Sequence, residues 1–293
     1  MGAVATTVER GFRPVSALDD VLPRLRCPHC GRALARAGGA VGCDQRHSFD
    51  LARQGYLSLL AGAGPAHTGD TAEMVAARER FLAAGHFAPL AGALVEAVAA
   101  APALVVDLGA GPGWYLARVL DRFPAATGLA LDVSKSALRR AARAHERMAA
   151  VACDAWRPLP LGDAAADVVL NVFAPRTGAE LARILAPGGA AVVVTPAPGH
   201  LEEIAGPLGL LSVDDRKEER LAEQLAPGLR VTCRQGLEWK LGLDRAAARD
   251  AAAMGPSAFH VSAAELDERI AALPEPVEVT AAVTITTAGA PTP

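Results

Sequence analysis

From Ala103 to Pro196, short runs of branched apolar residues alternate with helix-length amphipathic stretches, and no other feature of this 293-residue chain restricts its fold as strongly. The run ALVVDLG (103–109) is expected to be a buried strand ending in a glycine loop, with WYLARVLDRF (114–123) as the helix after it. ATGLALDVS (126–134), MAAVACDA (148–155) and AADVVLNVF (165–173) are expected as the next three strands, with KSALRRAARAHERM (135–148) as the helix after the first. The helix GAELARILA (178–186) leads through a turn at Pro187-Gly188-Gly189 to the strand AAVVVTP (190–196). Strands separated by helices of this length imply an α/β fold, a parallel sheet with right-handed crossovers. Two further alternating runs, 231–243 and 277–287, are suited to close that sheet as an antiparallel pair.

The loop VVDLGAGPGW ends the first strand and opens a helix. Its glycines Gly109, Gly111 and Gly113 fall at alternate positions, whereas a dinucleotide fold wants its third glycine where Trp114 stands. No Gly-Lys-Ser/Thr follows, which excludes a phosphate-cradling P-loop. Alternate glycines let the backbone approach a ligand that brings no pyrophosphate, and the methionine and ribose part of S-adenosylmethionine fits that description. Asp132 ends the second strand, where an acidic side chain accepts both ribose hydroxyls. Asp154-Ala155 ends the third strand at the natural edge for the adenine, and Asp107 belongs to the same cofactor side. The plainer reading, a tight turn plus a helix cap at Asp132, accounts for each part alone but not for their register on three successive strand ends. The fold expected is therefore a Rossmann-like class I S-adenosylmethionine-dependent methyltransferase core.

A second feature stands in front of that core. Cys27-x-x-Cys30, then twelve residues, then Cys43-x-x-x-His47 presents four soft or borderline ligands in two pairs. Zinc takes four such ligands tetrahedrally, and a closed set leaves no position for water, so the metal is expected to be structural. A redox pair at Cys27-Pro-His-Cys30 lacks the strand and helix that such a motif needs, and His29 as ligand would strain the first turn. The formal charge of −3 is unevenly spread: residues 21–60 hold six arginines against Asp44 and Asp50, a local +4 that leaves −7 for the rest. A basic front on an acidic body fits a chain that meets a polyanion with one face. Four domains of sequence follow: a tail at 1–20, a zinc-binding RNA-recognition domain at 21–60, a linker and helices at 61–100, and a methyltransferase domain at 101–293. No run approaches the length of a membrane span, the polar stretch from Val8 interrupts any leader, and isolated Cys153 and Cys233 suit a reducing compartment, so a cytoplasmic protein away from membranes is expected.

The fourth strand ends in NVFAPR, at the crevice where methyl acceptors bind. Asn171 offers an amide, Phe173 a flat face and Pro175 a rigid carbonyl-bearing turn, together suited to a planar heterocycle such as a nucleobase. These three are the candidate catalytic residues. His200 lies just past the neighbouring strand end.

Taken in order, the Cys-x2-Cys-x12-Cys-x3-His knuckle, GYLSLL, GDTAEMVAARERFLAAGHFAPL, DLGAGPGW, LDVSKSALRRAAR, NVFAPR, LAPGG and TPAPGHLEEI resemble the bacterial large-subunit rRNA guanine-N1 methyltransferases of the RlmA type. The resemblance runs from about Leu25 to His200 and continues weakly through 214–227 and 252–260, where the chain looks most like the macrolide-resistance branch of actinobacteria. It implies a zinc domain that helps recognise a 23S rRNA hairpin near the peptide exit tunnel, and a homodimer forming an RNA-binding cleft. It also implies Cys27, Cys30, Cys43 and His47 as zinc ligands, and Phe87, Gly111, Pro112 and His200 beside S-adenosylmethionine. The longer N-terminal stretch departs from the family. Two other readings stay open: a methyltransferase for a small molecule such as an antibiotic or quinone, and a zinc-bearing RNA-binding protein without catalysis.

Overall fold

Apolar residues on both sides of every inner strand require layers on both faces of the sheet, and the computed structural model has them. It describes residues 16–60, 69–98, 101–210, 217–255 and 262–290. The chain opens with helix α1 (Ser16–Val21) and a 3-10 turn, Leu22–Arg24. Three short strands, β1 (Ala35–Ala37), β2 (Ala40–Gly42) and β3 (Ser48–Asp50), form an antiparallel meander, and β4 (Leu57–Ser58) follows. Helices α2 (Ala72–Ala83) and α3 (Ala88–Ala97) lead to the core. The core then alternates β5 (Leu104–Leu108), α4 (Trp114–Arg122), β6 (Thr127–Asp132), α5 (Lys135–Ala144) and β7 (Met148–Ala152). After it come β8 (Ala166–Val172), α6 (Gly178–Ile184), β9 (Leu185–Pro196), α7 (Glu202–Leu208) and α8 (Lys217–Leu225). The end of the chain is β10 (Arg230–Leu243), α9 (Arg245–Ala253), α10 (Ala263–Ala271) and β11 (Val277–Gly289).

Eight strands form one sheet in the order β10-β11-β9-β8-β5-β6-β7-β4. Pairing is parallel from β4 through β9, and β11 runs antiparallel to both β9 and β10. The two C-terminal runs thus close the sheet as an antiparallel pair. Burial follows the period of two within β5. Leu104, Val106 and Leu108 pack into one core with Leu18, Leu25 and Leu181, and Val105 packs into the other with Leu116, Leu120 and Ile204. All five β5 residues are buried because helices cover both faces.

The structure adds to or departs from the sequence reading in three places. Residues 16–20 are not tail but most of α1, whose Ala17, Leu18 and Val21 are buried against the sheet. Six residues are too few for periodicity to declare a helix, and packing makes it; residues 1–15 lie outside the described residues. The 21–60 segment is joined to the edge of the sheet. Strand β4 pairs with β7 (Leu57 opposite Val151, Ser58 opposite Ala152), Leu25 bridges Leu161, and the Arg26 N–H donates to the Pro160 carbonyl at 3.0 Å. The Pro187–Gly189 turn is drawn into β9, where pairing with β8 slips between Ala166 and Val168. Residues 61–68 of the linker lie outside the described residues, while Thr71 caps α2 through its hydroxyl, which accepts the Met74 N–H at 3.2 Å.

Candidate active site and zinc centre

Two tight turns build the metal centre. In the first, the Gly31 N–H returns to the Cys27 carbonyl at 2.8 Å, with Gly31 at φ 69°. In the second, the Arg46 N–H returns to the Cys43 carbonyl at 3.0 Å and the Cys43 N–H donates to the His47 carbonyl at 3.1 Å. The four ligand atoms of Cys27, Cys30, Cys43 and His47 all lie within 4.8 Å of one another. A tetrahedral zinc with its usual bond lengths would hold sulfurs about 3.8 Å apart and sulfur and nitrogen about 3.6 Å apart. Cys30 Sγ and Cys43 Sγ are 3.7 Å apart, and His47 Nδ1 is 3.5 Å from Cys27 Sγ and 3.4 Å from Cys43 Sγ. The donor set fits zinc. Desolvation raises the Cys43 thiol, but donors from the His47 and Gln45 backbones and the His47 ring outweigh it and bring it down to about 7. His29 stays out of the cluster and stacks on Phe49, 5.8 Å between centroids at 10°.

The second site is a cavity of about 670 Å³ at the C-terminal ends of the parallel strands. Gly109 (φ 77°) brings the loop so close to the 174 segment that a Cβ there would sit 2.2 Å from Ala174 Cβ. The Gly111 N–H (φ 55°) donates to Asp132 at 2.8 Å, and the Ser134 N–H donates to the other carboxylate oxygen at 2.8 Å. Burial pushes the Asp132 carboxyl up, and these two donors only partly offset it. Asp107 is 1% exposed, lines the cavity and has no hydrogen-bond partner on either oxygen; burial, then the Asp132 charge, pushes it up to about 8. An orphaned carboxyl under a glycine loop is the complement of a cationic ligand. The residues present fit S-adenosylmethionine.

Pro112, Asp154 and Ala155 line the same cavity, with Asp154 accepting the Trp156 N–H at 3.0 Å. Gly113 does not line it. It caps α4 at φ 80°, and a Cβ there would lie 2.8 Å from Met148 Sδ and 3.2 Å from Ala141 Cβ, so this glycine serves helix packing. Phe87, Phe173 and His200 form a ring cluster on the cavity, with centroids 6.3, 6.1 and 5.8 Å apart. The His200 Nδ1 accepts the Ala282 N–H at 3.2 Å, which leaves the proton of the neutral ring on Nε2. Phe173 is 42% exposed and sits at φ 54°, a strained conformation for a bulky residue.

Asn171 is a correction. It is fully buried and does not line the cavity: its amide donates to the Leu108 carbonyl at 3.0 Å and to the Pro175 carbonyl at 3.2 Å. Its carbonyl accepts from Arg176 Nη1 at 3.1 Å. Asn171 therefore holds the 173–176 segment in its strained shape, and the Pro175 carbonyl is already engaged by that grip. Among the lining residues that sequence reasoning missed are Arg78, held by Asp70 and the Met254 carbonyl; Trp156, 53% exposed; and Arg176. Arg176 stood inside the NVFAPR motif, adjacent to the residues chosen. Arg78 gave no local signal, because α2 reaches the loop only through the tertiary fold.

Residues 25–63 match the family model described as "RlmA, N-terminal", a zinc ribbon, and residues 105–189 match one described as "Methyltransferase domain". A Streptomyces fradiae protein named 23S rRNA (guanine(748)-N(1))-methyltransferase is 49% identical over 91% of this chain and 97% of its own. The chain belongs to the 23S rRNA (guanine-N1)-methyltransferases. A Micromonospora griseorubida member, named "Putative 23S rRNA (guanine-N(1)-)-methyltransferase", is 51% identical over 90% of this chain and 96% of its own. At the level of fold alone, solved structures from Bacillus halodurans and Anabaena variabilis, each named a "putative methyltransferase", superpose with TM-scores of 0.51. They cover 69% and 68% of this chain and 99% and 96% of their own, at 16% and 14% identity. This methyltransferase thus uses S-adenosylmethionine in its core and a structural zinc in its ribbon.

Proposed function

We propose that this methyltransferase modifies N1 of one guanine in a 23S rRNA hairpin beside the peptide exit tunnel, as a cytoplasmic homodimer, and that the modification confers macrolide resistance. The observation that carries the reading is the joint between its two parts. The zinc ribbon is stitched by β4 to the edge of the catalytic sheet, beside β7, whose end carries Asp154. Arg32, Arg36 and Arg46 line a concavity of about 590 Å³ next to the cluster. Arg32 pairs with Asp44 at 60% and 57% exposure, a surface ion pair weak enough to be exchanged for phosphate. Rigid attachment fixes the distance between the RNA-holding face and the chemistry, so that one base of the bound hairpin meets the cavity. Among the described residues no helix is long and apolar enough to cross a membrane.

The cofactor supplies an electrophilic methyl on a positively charged sulfur. The chain supplies position: Asp132 and the Gly111 backbone on one side, and the Phe87, Phe173 and His200 rings on the other. N1 of guanine is engaged in Watson–Crick pairing, so the acceptor is an unpaired or flipped base, which the exposed rings of Phe173 and Trp156 can stack upon. Incubation with labelled S-adenosylmethionine and either rRNA, macrolides or quinones tests the substrate class. Label in rRNA is expected; label in a small molecule alone overturns the reading.

A further inference from the structure

The guanine N1 nitrogen carries a proton at neutral pH, and the described residues around the cavity offer no free base to take it. Asp70 is paired with Arg78, Asp132 holds two backbone N–H groups, and Asp154 holds the Trp156 N–H and lies 3.6 Å from Arg157. Asp107 keeps its own proton to about pH 8 while the site is cofactor-free and is taken by the cationic cofactor once that binds, and burial pushes the Tyr115 hydroxyl and the Cys153 thiol up. The His200 Nδ1 already accepts a backbone N–H. Among the described residues the cavity is lined by two arginines, of which Arg78 has a carboxylate. Arg176, half-buried, has none among the described residues. Its Nη1 is fixed on the Asn171 and Ala174 carbonyls at 3.1 and 3.0 Å, and its buried Nε has no partner.

We propose that Arg176 stabilises the negative charge that develops on O6 of the acceptor guanine as N1 loses its proton, so that the site needs no general base. The proposal rests on the guanine-N1 reading above. In this step the N1 proton passes to solvent water, the N1 lone pair forms the bond to the methyl carbon, and the carbon–sulfur bond breaks with its electron pair on sulfur. The negative charge left on N1 when its proton departs is shared with O6, so a fixed cation at O6 makes N1 more acidic and a better nucleophile at neutral pH. Asn171 and the strained Phe173 turn then have a purpose: they aim a guanidinium whose desolvation already disfavours its charge and leaves it in want of an anion.

The test is single-turnover methylation of rRNA against pH for the wild type and Arg176→Gln, with S-adenosylhomocysteine affinity measured by calorimetry. We expect a loss of about 10²-fold at pH 7, narrowing as pH rises, with cofactor affinity unchanged. Placing 6-thioguanine, whose N1 proton is more acidic, at the methylated position should shrink the deficit further. Parallel pH profiles overturn the proposal, as does a weakened S-adenosylhomocysteine affinity, which would give Arg176 to the cofactor carboxylate. Should Arg176→Gln fail to fold, Arg176→Lys keeps the charge and must retain the wild-type pH profile at a reduced rate. A wild type inert on rRNA at every pH overturns the rRNA reading and this proposal with it; an active wild type with a parallel variant overturns this proposal alone.

Discussion

Replacing Asp107 by Asn should stabilise the cofactor-free protein, and by an amount that depends on pH. Asp107 is 1% exposed with both oxygens unpartnered, and its carboxyl keeps its proton to about pH 8. In the unfolded chain an aspartate titrates near 3.9. Between about pH 4 and pH 8 the folded state therefore holds a proton that the unfolded state has released, and stability falls as pH rises through that window. The slope is about 1.4 kcal/mol per pH unit, so the whole window is worth roughly 5 kcal/mol. Asparagine has nearly the same shape and no charge to lose. Urea unfolding of both proteins, zinc-loaded and cofactor-free, at pH 5.5 and 7.5 should show the variant's advantage growing by about 3 kcal/mol over those two units. The same variant should bind S-adenosylmethionine more weakly, because a cationic ligand needs the carboxylate, and calorimetry in buffers of different ionisation enthalpy should find one proton released on wild-type binding and none with Asn. A variant-minus-wild-type difference that is flat with pH would refute the reasoning, since it would mean that Asp107 is ionised in the folded protein.

Other perturbations probe other joints. Cys43→Ser should release zinc and destabilise residues 25–60 while cofactor binding largely survives, measured by metal content and amide exchange; a variant with stoichiometric zinc would contradict the ligand set. Gly109→Ala meets Ala174 Cβ at 2.2 Å and a positive φ, and should cost about 2–5 kcal/mol or push the 173–176 segment aside, read as a fall in melting temperature and in cofactor affinity. Leu25→Ala empties a fully buried contact that bridges to Leu161 and should cost about 2–5 kcal/mol, read by urea unfolding; a loss confined to the ribbon would contradict the shared core.

The parallel core was legible because its strands are buried on both faces and appear in the sequence as unbroken apolar runs between helices. That Gly109, Gly111 and Asp132 meet at one cavity was legible for a related reason, since a strand end fixes what the next few residues can face. The zinc ligands needed only spacing. What escaped was what distance in space decides. Helix α1 has three buried apolar residues in six and exists because the sheet is there to receive them. Two residues of β4 make an edge strand only by pairing with β7. An amide at a strand end, such as Asn171, reads the same whether it faces a substrate or a backbone carbonyl, and here it faces the carbonyl. Gly113 has the spacing of a ligand loop but serves the contact with Met148 and Ala141. Arg176, beside residues that were chosen, was passed over because nothing in a sequence says which arginine has no carboxylate among the described residues around it.

The central claim is that this chain places a methyl on N1 of a single 23S rRNA guanine. Protein-free 23S rRNA should be incubated with the enzyme and S-adenosylmethionine, then copied by reverse transcriptase, which halts where N1 is blocked. The account predicts one strong cofactor-dependent stop at a hairpin guanine, with 1-methylguanosine in the digested RNA. Full-length copies and no methylated nucleoside, from protein that binds the cofactor and holds zinc, would contradict it.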